Sequence, residues 1–449
     1  MHLKQISPRR PPAARPARRR LRWWPGLATA TLTACLAGAC PAAAVTAGTT
    51  AAAVRPPLPL NCGAPDFPVQ CYTPQAYEVA YGVAPLLRRG IDGRGQTVVL
   101  PELAEPPSSH GVIYSDIRKD LAAFDSRFVL PAGTLHVINT IARSKTPYLA
   151  GSEEAEDTET VHAFAPAASI DVVLVPQDAQ SSSANFAAAM TKAIQEGVAL
   201  HAAVISISFT GGEHLFTPVQ VTAMNTAVQQ ARHQQVTVVA AAGDTGPISD
   251  QGPPRQVSMP ASDPLVLAVG GTTLDATLAT GTYHGEMAWD QSTGPEATGA
   301  SGGGYSSLFP RPAYQDGIAR SRAARGVPDV AANADSSTAM AIDISGGGLL
   351  PASGTSAATP LWAGVIALAD QQAGQHLGFI NPAIYAIARG PAYHQAFHDI
   401  VTGDNSVLWP TGVFTGYTAG PGWDPVTGWG SPNAQYLVPL LARTARSGA

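Results

Sequence analysis

Lysine is nearly missing from this chain. Lys4, Lys119, Lys145 and Lys192 are all it has in 449 residues, and charged residues of every kind make up only 13%, about half the share usual in soluble domains. The positive charge is crowded at the start, where Arg9, Arg10, Arg15, Arg18, Arg19, Arg20 and Arg22 join Lys4; all 32 acidic residues lie beyond them. So acidic a body offers no footprint for a polyanion, which excludes nucleic-acid binding as its main work. Cysteine is equally scarce at four; with Cys35 and Cys40 in the N-terminal apolar stretch, the two that remain, Cys62 and Cys71, make a poor metal site. Past residue 45 no apolar run approaches the length of a membrane span. Disorder is excluded from the other side, because 45% hydrophobic residues with so little charge can build a large core.

What is present begins with an export pattern. The Arg-rich stretch precedes "WWPGLATATLTACLAGACPAAAV", whose Ala42 and Ala44 suit a small-x-small cleavage site before Val45. Residues 1–44 therefore read as a signal peptide. Arg9-Arg10 lacks the apolar residues expected after a twin-arginine pair. "LTAC" at 32–35 offers a second outcome, a lipoprotein anchored through Cys35 (with Cys40 nearby), and an uncleaved anchor a third. The expected location is outside the cell, with surface anchoring as the alternative and no other membrane contact. Residues 45–61 are a low-complexity Ala/Thr/Pro linker. In "NCGAPDFPVQC" the isolated pair Cys62 and Cys71 closes a short loop, which in an exported chain is most simply a disulfide.

From residue 62 to 449 the texture is uniform, with no second linker and no repeat, as in one large catalytic domain. Short β-branched runs recur: "QTVVL" at 96–100, "LHVIN" at 135–139, "SIDVVLV" at 169–175, "AAVISISF" at 202–209, "VTVVAAAG" at 236–243 and "PLVLAVGG" at 264–271. Helical stretches such as "SANFAAAMTKAIQEGV" and "TAMNTAVQQARHQQ" lie between them. Continuous apolar strands alternating with helices predict an α/β fold, a parallel sheet with helices on both faces. Function should collect at the carboxyl ends of its strands.

"SGTSAATP" at 353–360 looks like an activated serine, Ser356, heading a helix. Such a serine normally relies on a histidine. Of eleven histidines, His110 in "SSHGV" and His284 in "YHGEM" lack the hydroxyl residue and second histidine of a subtilisin-type box. His162 sits in an apolar helix and reads as a packed core residue. Acids offer another base. "GSEEAEDTETVHAFAPAASI" places Glu153 and Asp157 four apart, on one helix face; a solvated acidic helix start is the plain alternative. "VVAAAGDTG" delivers Asp244 into a glycine-flanked turn at a strand end. An aspartic-protease reading of "DTG" would need a mostly β chain and a second such Asp, and "DSS" at 335–337 lacks the glycine; a plain turn aspartate is the stronger alternative.

Together these pieces resemble the sedolisin family of serine-carboxyl peptidases, from "CYTPQAYEVAYGV" at 71–83 to "GPGWDPVTGWGSP" at 420–432. "AAFDSRFVLP", "SGGGYSSLFPRPAYQ" and "GVPDVAANAD" add to the match. The resemblance implies a subtilisin-like fold and peptide hydrolysis in acid. It makes Ser356 the nucleophile, Glu153 the general base, Asp157 its partner and Asp244 part of the oxyanion hole. Glu102, in "LPEL", extends the proton network. Glu154 is set aside as the base because Glu153 keeps the four-residue spacing to Asp157. The chemistry is consistent: an imidazole with a pKa near ~6.5 is protonated in acid, whereas a carboxylate near ~4.3 still accepts a proton.

The resemblance carries further expectations. Ser208, Phe209, Thr210 and Gly211 would form one wall of a cleft for extended protein or peptide substrates; Phe209 stands where relatives often carry Trp. "SGGGY" at 301–305 is no phosphate loop and would be a flexible cleft-side loop. A calcium loop would span about 397–424. There Asp399 and Asp424 would supply carboxylates to Ca²⁺, and Ile400, Gly420 and Gly422 would supply carbonyls. The protein is expected to be a monomer. Only residues 45–61 separate the signal from the body, so the long prodomain usual in the family is not expected. The alternatives to an acid endopeptidase are a tripeptidyl-peptidase and a catalytically silent binding protein on the same scaffold.

Overall fold

A computed structural model describes residues 60–63, 69–104, 115–143, 150–249, 252–291, 299–318, 320, 322–345 and 347–447. The expected signal peptide, the linker up to residue 59 and His110 lie outside the described residues. The sheet strands are β1 (Thr97–Leu103), β2 (Thr134–Ile138), β3 (Ser169–Val175), β4 (Val204–Ile207), β5 (Thr237–Ala241), β6 (Leu267–Ala276), β7 (Tyr283–Ala288) and β8 (Val330–Asn333). They form one eight-stranded sheet in the order β7-β6-β5-β4-β1-β3-β2, with β8 also on β6. Every pairing is parallel except β7 on β6.

Alternation along the strands divides the core. Val98 and Leu100 of β1 join one apolar cluster, with Val161 and Phe164 of α1 (Ser152–Phe164) and Leu361, Trp362 and Val365 of α4 (Gly354–Ala373). Val99 faces the other way, toward Phe186 and Met190 of α2 (Ser183–Ala199) and Met224 and Val228 of α3 (Pro218–His233). Both faces are covered, which is why the strands read as unbroken apolar runs. Each side chain buried this way contributes about 1.5–3 kcal/mol. Helix starts follow local chemistry. Ser182 caps α2 by accepting from the Asn185 amide, and Thr217 and Gln220 cap α3 reciprocally.

The register explains where a site can open. β1 pairs with β3 along its whole length to Leu103–Val175, but with β4 only at Val98–Val204 and Val99–Ile205. Beyond that point β1 and β4 part, and this is also where strand order reverses. Such switch points leave a crevice at the carboxyl ends of the strands. Nearby, "GVPDVAANAD" is structural. Arg325 grips Asp329 with two 2.6 Å bonds, and Asp329 accepts the Ala268 amide of β6 at 2.8 Å. Cys62 and Cys71 are joined in a disulfide across a two-stranded hairpin, Leu60–Cys62 with Val69–Cys71, as their isolation suggests.

Helices α1 and α4 carry the acids and the serine, and they touch at Gly364. A Cβ there would stand 2.6 Å from the Phe164 Cβ, too close to accept. Gly364→Ala should therefore lower the midpoint of urea unfolding by an amount worth about 1–3 kcal/mol. Helix propensity alone would raise it by about 1 kcal/mol, so the sign of the shift decides whether this contact sets the helix spacing.

Candidate active site

Ser356 occupies the third position of α4, after the cap residue Ser353. A helix start leaves four N–H groups without helical acceptors, and here three find partners elsewhere. The Ser353 amide donates to Glu156 Oε2 at 3.0 Å, that of Gly354 to the Ala334 carbonyl at 2.8 Å, and that of Thr355 to Asp244 Oδ1 at 2.8 Å. Among the described residues, the amide of Ser356 itself has no partner outside its helix. It is a donor left available at the positive end of the helix dipole.

Helix α1 presents the acids. Its cap is Gly151, whose amide donates to Glu154 Oε2 at 2.7 Å, so Glu154 is committed to closing the helix. Glu153 accepts a hydrogen bond from the Ser356 hydroxyl and is partly buried. Asp157, one turn on, is wholly buried and accepts the Ser208 hydroxyl at 2.7 and 3.0 Å. Glu102, at the end of β1, is also wholly buried, and its carboxyl is hydrogen-bonded to that of Asp157, a pair that shares a proton. Burial, then the Asp157 charge, push Glu153 up to about 8 against the pull of Ser356. Burial pushes Asp157 up to about 7 against the pull of Ser208. Burial and the Asp157 charge hold Glu102 well above the usual carboxylate range. The cluster accordingly shares protons, and these leave in collective steps.

Asp244 lies three residues past the end of β5. Its Oδ1 accepts the Thr355 amide and hydroxyl at 2.8 and 2.7 Å. Its Oδ2 stands 2.7 Å from where a Cβ of Gly354 would be, and Gly354 has φ +79°, a conformation only glycine adopts easily. The segment expected to be a flexible cleft-side loop is instead the backing of this turn. The Ala300 amide donates to the Asp244 carbonyl at 2.8 Å and that of Gly302 to the Gly243 carbonyl at 2.7 Å. A Cβ on Gly302 would meet the Ala242 oxygen at 2.3 Å. Its glycines permit that close approach.

Ser356, Glu153 and Asp244 meet in a cleft of about 370 Å³ whose wall includes Ser208, Phe209 and Thr210. Gly211 lies in an adjoining cavity of about 440 Å³ that shares Thr210 and Gln180 with the cleft. Glu102 and Asp157 sit behind the cleft rather than on its surface. Leu103 and Gln180 also line it and carry no sequence signal. Thr355 was legible only as the middle of "GTS", yet it is what holds Asp244. His162 is wholly buried; its Nε2 donates to the Pro131 carbonyl at 2.9 Å and stands 2.9 Å from Asp125 Oδ1, which makes it a core histidine away from the cleft.

The expected calcium residues come together in part. The Gly422 amide donates to Asp399 at 3.1 and 3.2 Å, and Tyr393 donates to the same carboxylate at 2.9 Å. Asp424 is buried and accepts the amides of Gly420, Val426 and Thr427, each at 2.9 Å. Ile400 is buried beside Asp399 in the chain. Two carboxylates folded onto one glycine-rich loop, with neither in a salt bridge among the described residues, fit a hard cation in donor type. No group of three or more acidic, histidine or cysteine side chains that could hold a metal occurs among the described residues. A cation here would therefore depend on backbone carbonyls as well.

A profile of the Subtilase family matches residues 147–383. Kumamolisin of Bacillus sp. (strain MN-32) is 34% identical over 386 residues, covering 83% of this chain and 64% of that protein. Tripeptidyl-peptidase 1 of Rattus norvegicus is 30% identical over 265 residues, covering 53% of this chain and 43% of that protein. The chain thus spans less than two thirds of the length of either relative. Among solved structures, Pseudomonas sedolisin, a serine-carboxyl proteinase complexed with two molecules of pseudo-iodotyrostatin, superposes with a TM-score of 0.67 at 26% identity. That match covers 84% of this chain and 99% of the other.

The acid cluster makes stability depend on pH with a definite sign. Folded, the coupled cluster around Glu153 and Asp157 keeps its last protons up to about 8 and 7; unfolded, both carboxyls release theirs near ~4. Between those limits the folded state binds more protons, so its stability is complete below ~4 and is lost as pH rises toward neutrality. Calorimetry should give a higher Tm at pH 4 than at pH 8. Glu102→Gln, which keeps the shape but cannot ionise, should narrow that gap, and a Tm that climbs with pH would contradict the assignment.

Proposed function

Because this chain belongs to the subtilase family and to its sedolisin branch, we propose that it is an exported serine-carboxyl endopeptidase acting on proteins or peptides in acid. The observation that carries this is the hydrogen bond from the Ser356 hydroxyl to a carboxylate, Glu153, in a cleft that no described histidine lines. Ser356 Oγ attacks the scissile carbonyl while its proton passes to Glu153. The carbonyl oxygen becomes an oxyanion, which the Ser356 amide and a protonated Asp244 stabilise by donating hydrogen bonds. Glu153 then returns the proton to the departing amine, leaving an acyl-enzyme on Ser356. Water, deprotonated by Glu153, releases the acid and restores the serine.

Asp157 and Glu102 act behind Glu153. A base crowded by charged neighbours would keep its proton too firmly. In acid those neighbours are themselves protonated, so the first ionisation of the cluster escapes their repulsion and falls well below the fully charged limit. Higher pH adds further charges and ionises Asp244, which would then repel the oxyanion. Both demands place the working range on the acid side of neutrality. Export is supported by the Arg-rich, then apolar start of the sequence. Among the described residues no helix is long and apolar enough to cross a membrane.

Ca²⁺ is proposed at Asp399 and Asp424 with the carbonyls of Ile400, Gly420 and Gly422. When bound it would supply counter-charge to two carboxylates held by N–H and O–H donors, of which Asp424 also feels the Arg320 guanidinium. Its role is to fix the loop, away from the peptide-bond chemistry.

Two measurements follow from these proposals. Hydrolysis of a peptide library should reach its highest kcat below about pH 6 and vanish in Ser356→Ala. In Asp244→Asn, a neutral donor that cannot ionise, the decline toward neutrality should flatten or move to higher pH. An optimum at or above neutrality would contradict the carboxyl mechanism. Separately, a calcium chelator should lower Tm in the wild type but not in Asp399→Ala; equal shifts in both would remove the cation from this loop.

A further inference from the structure

Glu156 is a buried acid that the chemistry above does not use. It is 6% exposed and lies on α1 between Glu153 and Asp157 in sequence but turned toward α4. Its Oε2 accepts the Ser353 amide at 3.0 Å, while its Oε1 is buried with no partner. Ser353 caps the helix that Ser356 heads, and its own side chain makes no capping bond. A leucine in this place would pack without the cost of burying a carboxyl and leaving one of its oxygens without a partner. Stability does not explain the residue, so its one bond deserves a functional account. That bond runs from the helix bearing the base to the first residue of the helix bearing the nucleophile.

We propose that Glu156 is a positioning residue, whose side-chain oxygen fixes Ser353 and thereby sets Ser356 against Glu153. The proposal rests on the peptidase function above. Glu156 touches no reacting atom. It acts through the backbone, because Ser353 to Ser356 is one helical turn and a displaced cap would turn the serine away. The groups that bear on it are Glu153 and Asp157 on its own helix, the Ser353 amide on α4, and Asp244 from the turn after β5. Burial and the charge of Glu153 favour its neutral form, and a neutral carboxyl still accepts through its carbonyl oxygen. An amide side chain has the same acceptor in the same place.

Two variants separate this role from simple packing. Glu156→Gln keeps the acceptor and should keep kcat within about threefold in acid. Glu156→Leu removes it and should lower kcat about 10–100-fold with KM nearly unchanged, the loss expected of a slightly misplaced nucleophile. Amide hydrogen exchange at Ser353 gives a readout independent of activity: slow in the wild type and Glu156→Gln, faster in Glu156→Leu. If Glu156→Leu exchanges and turns over like the wild type, or if Glu156→Gln fails as badly as Glu156→Leu, the assignment is wrong. Should the wild type cleave no peptide while the exchange pattern holds, the peptidase function fails and the Glu156 tie to Ser353 stands.

Discussion

Carboxyl groups packed against the start of one helix set the terms for the rest of this structure. Glu153, Glu156 and Asp157 all come from α1, Glu102 comes from β1, and no basic side chain pairs with any of the four among the described residues. Crowded, buried carboxylates without cations cannot all be charged. They must hold protons, and a site built from groups that hold and pass protons suits acid rather than neutral water. The helix start repays part of the cost, since its amides donate to Glu156 and Asp244 and its dipole favours negative charge nearby.

The scaffold's task is to bring three chain segments to that helix start at fixed spacing. The parting of β1 from β4 opens the crevice. Strand β5 then delivers Asp244, and the glycines around residue 302 let a backing segment press against its turn. Gly364 allows α4 to lie directly on α1, and Glu156 ties their working ends together. Close approach through glycine recurs at Gly302 and Gly364.

Much of this was legible in the sequence. The strand "SIDVVLV" matches β3 residue for residue, because a strand buried on both faces is an unbroken apolar run. The four-residue spacing of Glu153 and Asp157 correctly put both on one helix face. What the pattern hid was burial. Five acids in one helix look solvated, and only the fold reveals that Glu156, Asp157 and Glu159 face inward. The roles of Thr355 and Gly302 were equally hidden, since each depends on a contact with a segment distant in the chain. Ser208 was expected only as cleft wall; it also donates to Asp157, a contact no local pattern encodes.

The central claim is that a carboxylate, not an imidazole, takes the proton of Ser356. The most direct measurement is the rate at which a fluorophosphonate labels Ser356 in the wild type, in Glu153→Gln and in His162→Ala, followed by mass spectrometry at about pH 5. The account predicts slower labelling of Glu153→Gln by roughly 10²–10⁴-fold, with folded His162→Ala labelled at the wild-type rate. Undiminished labelling of Glu153→Gln, or loss of labelling in a folded His162→Ala, would contradict it.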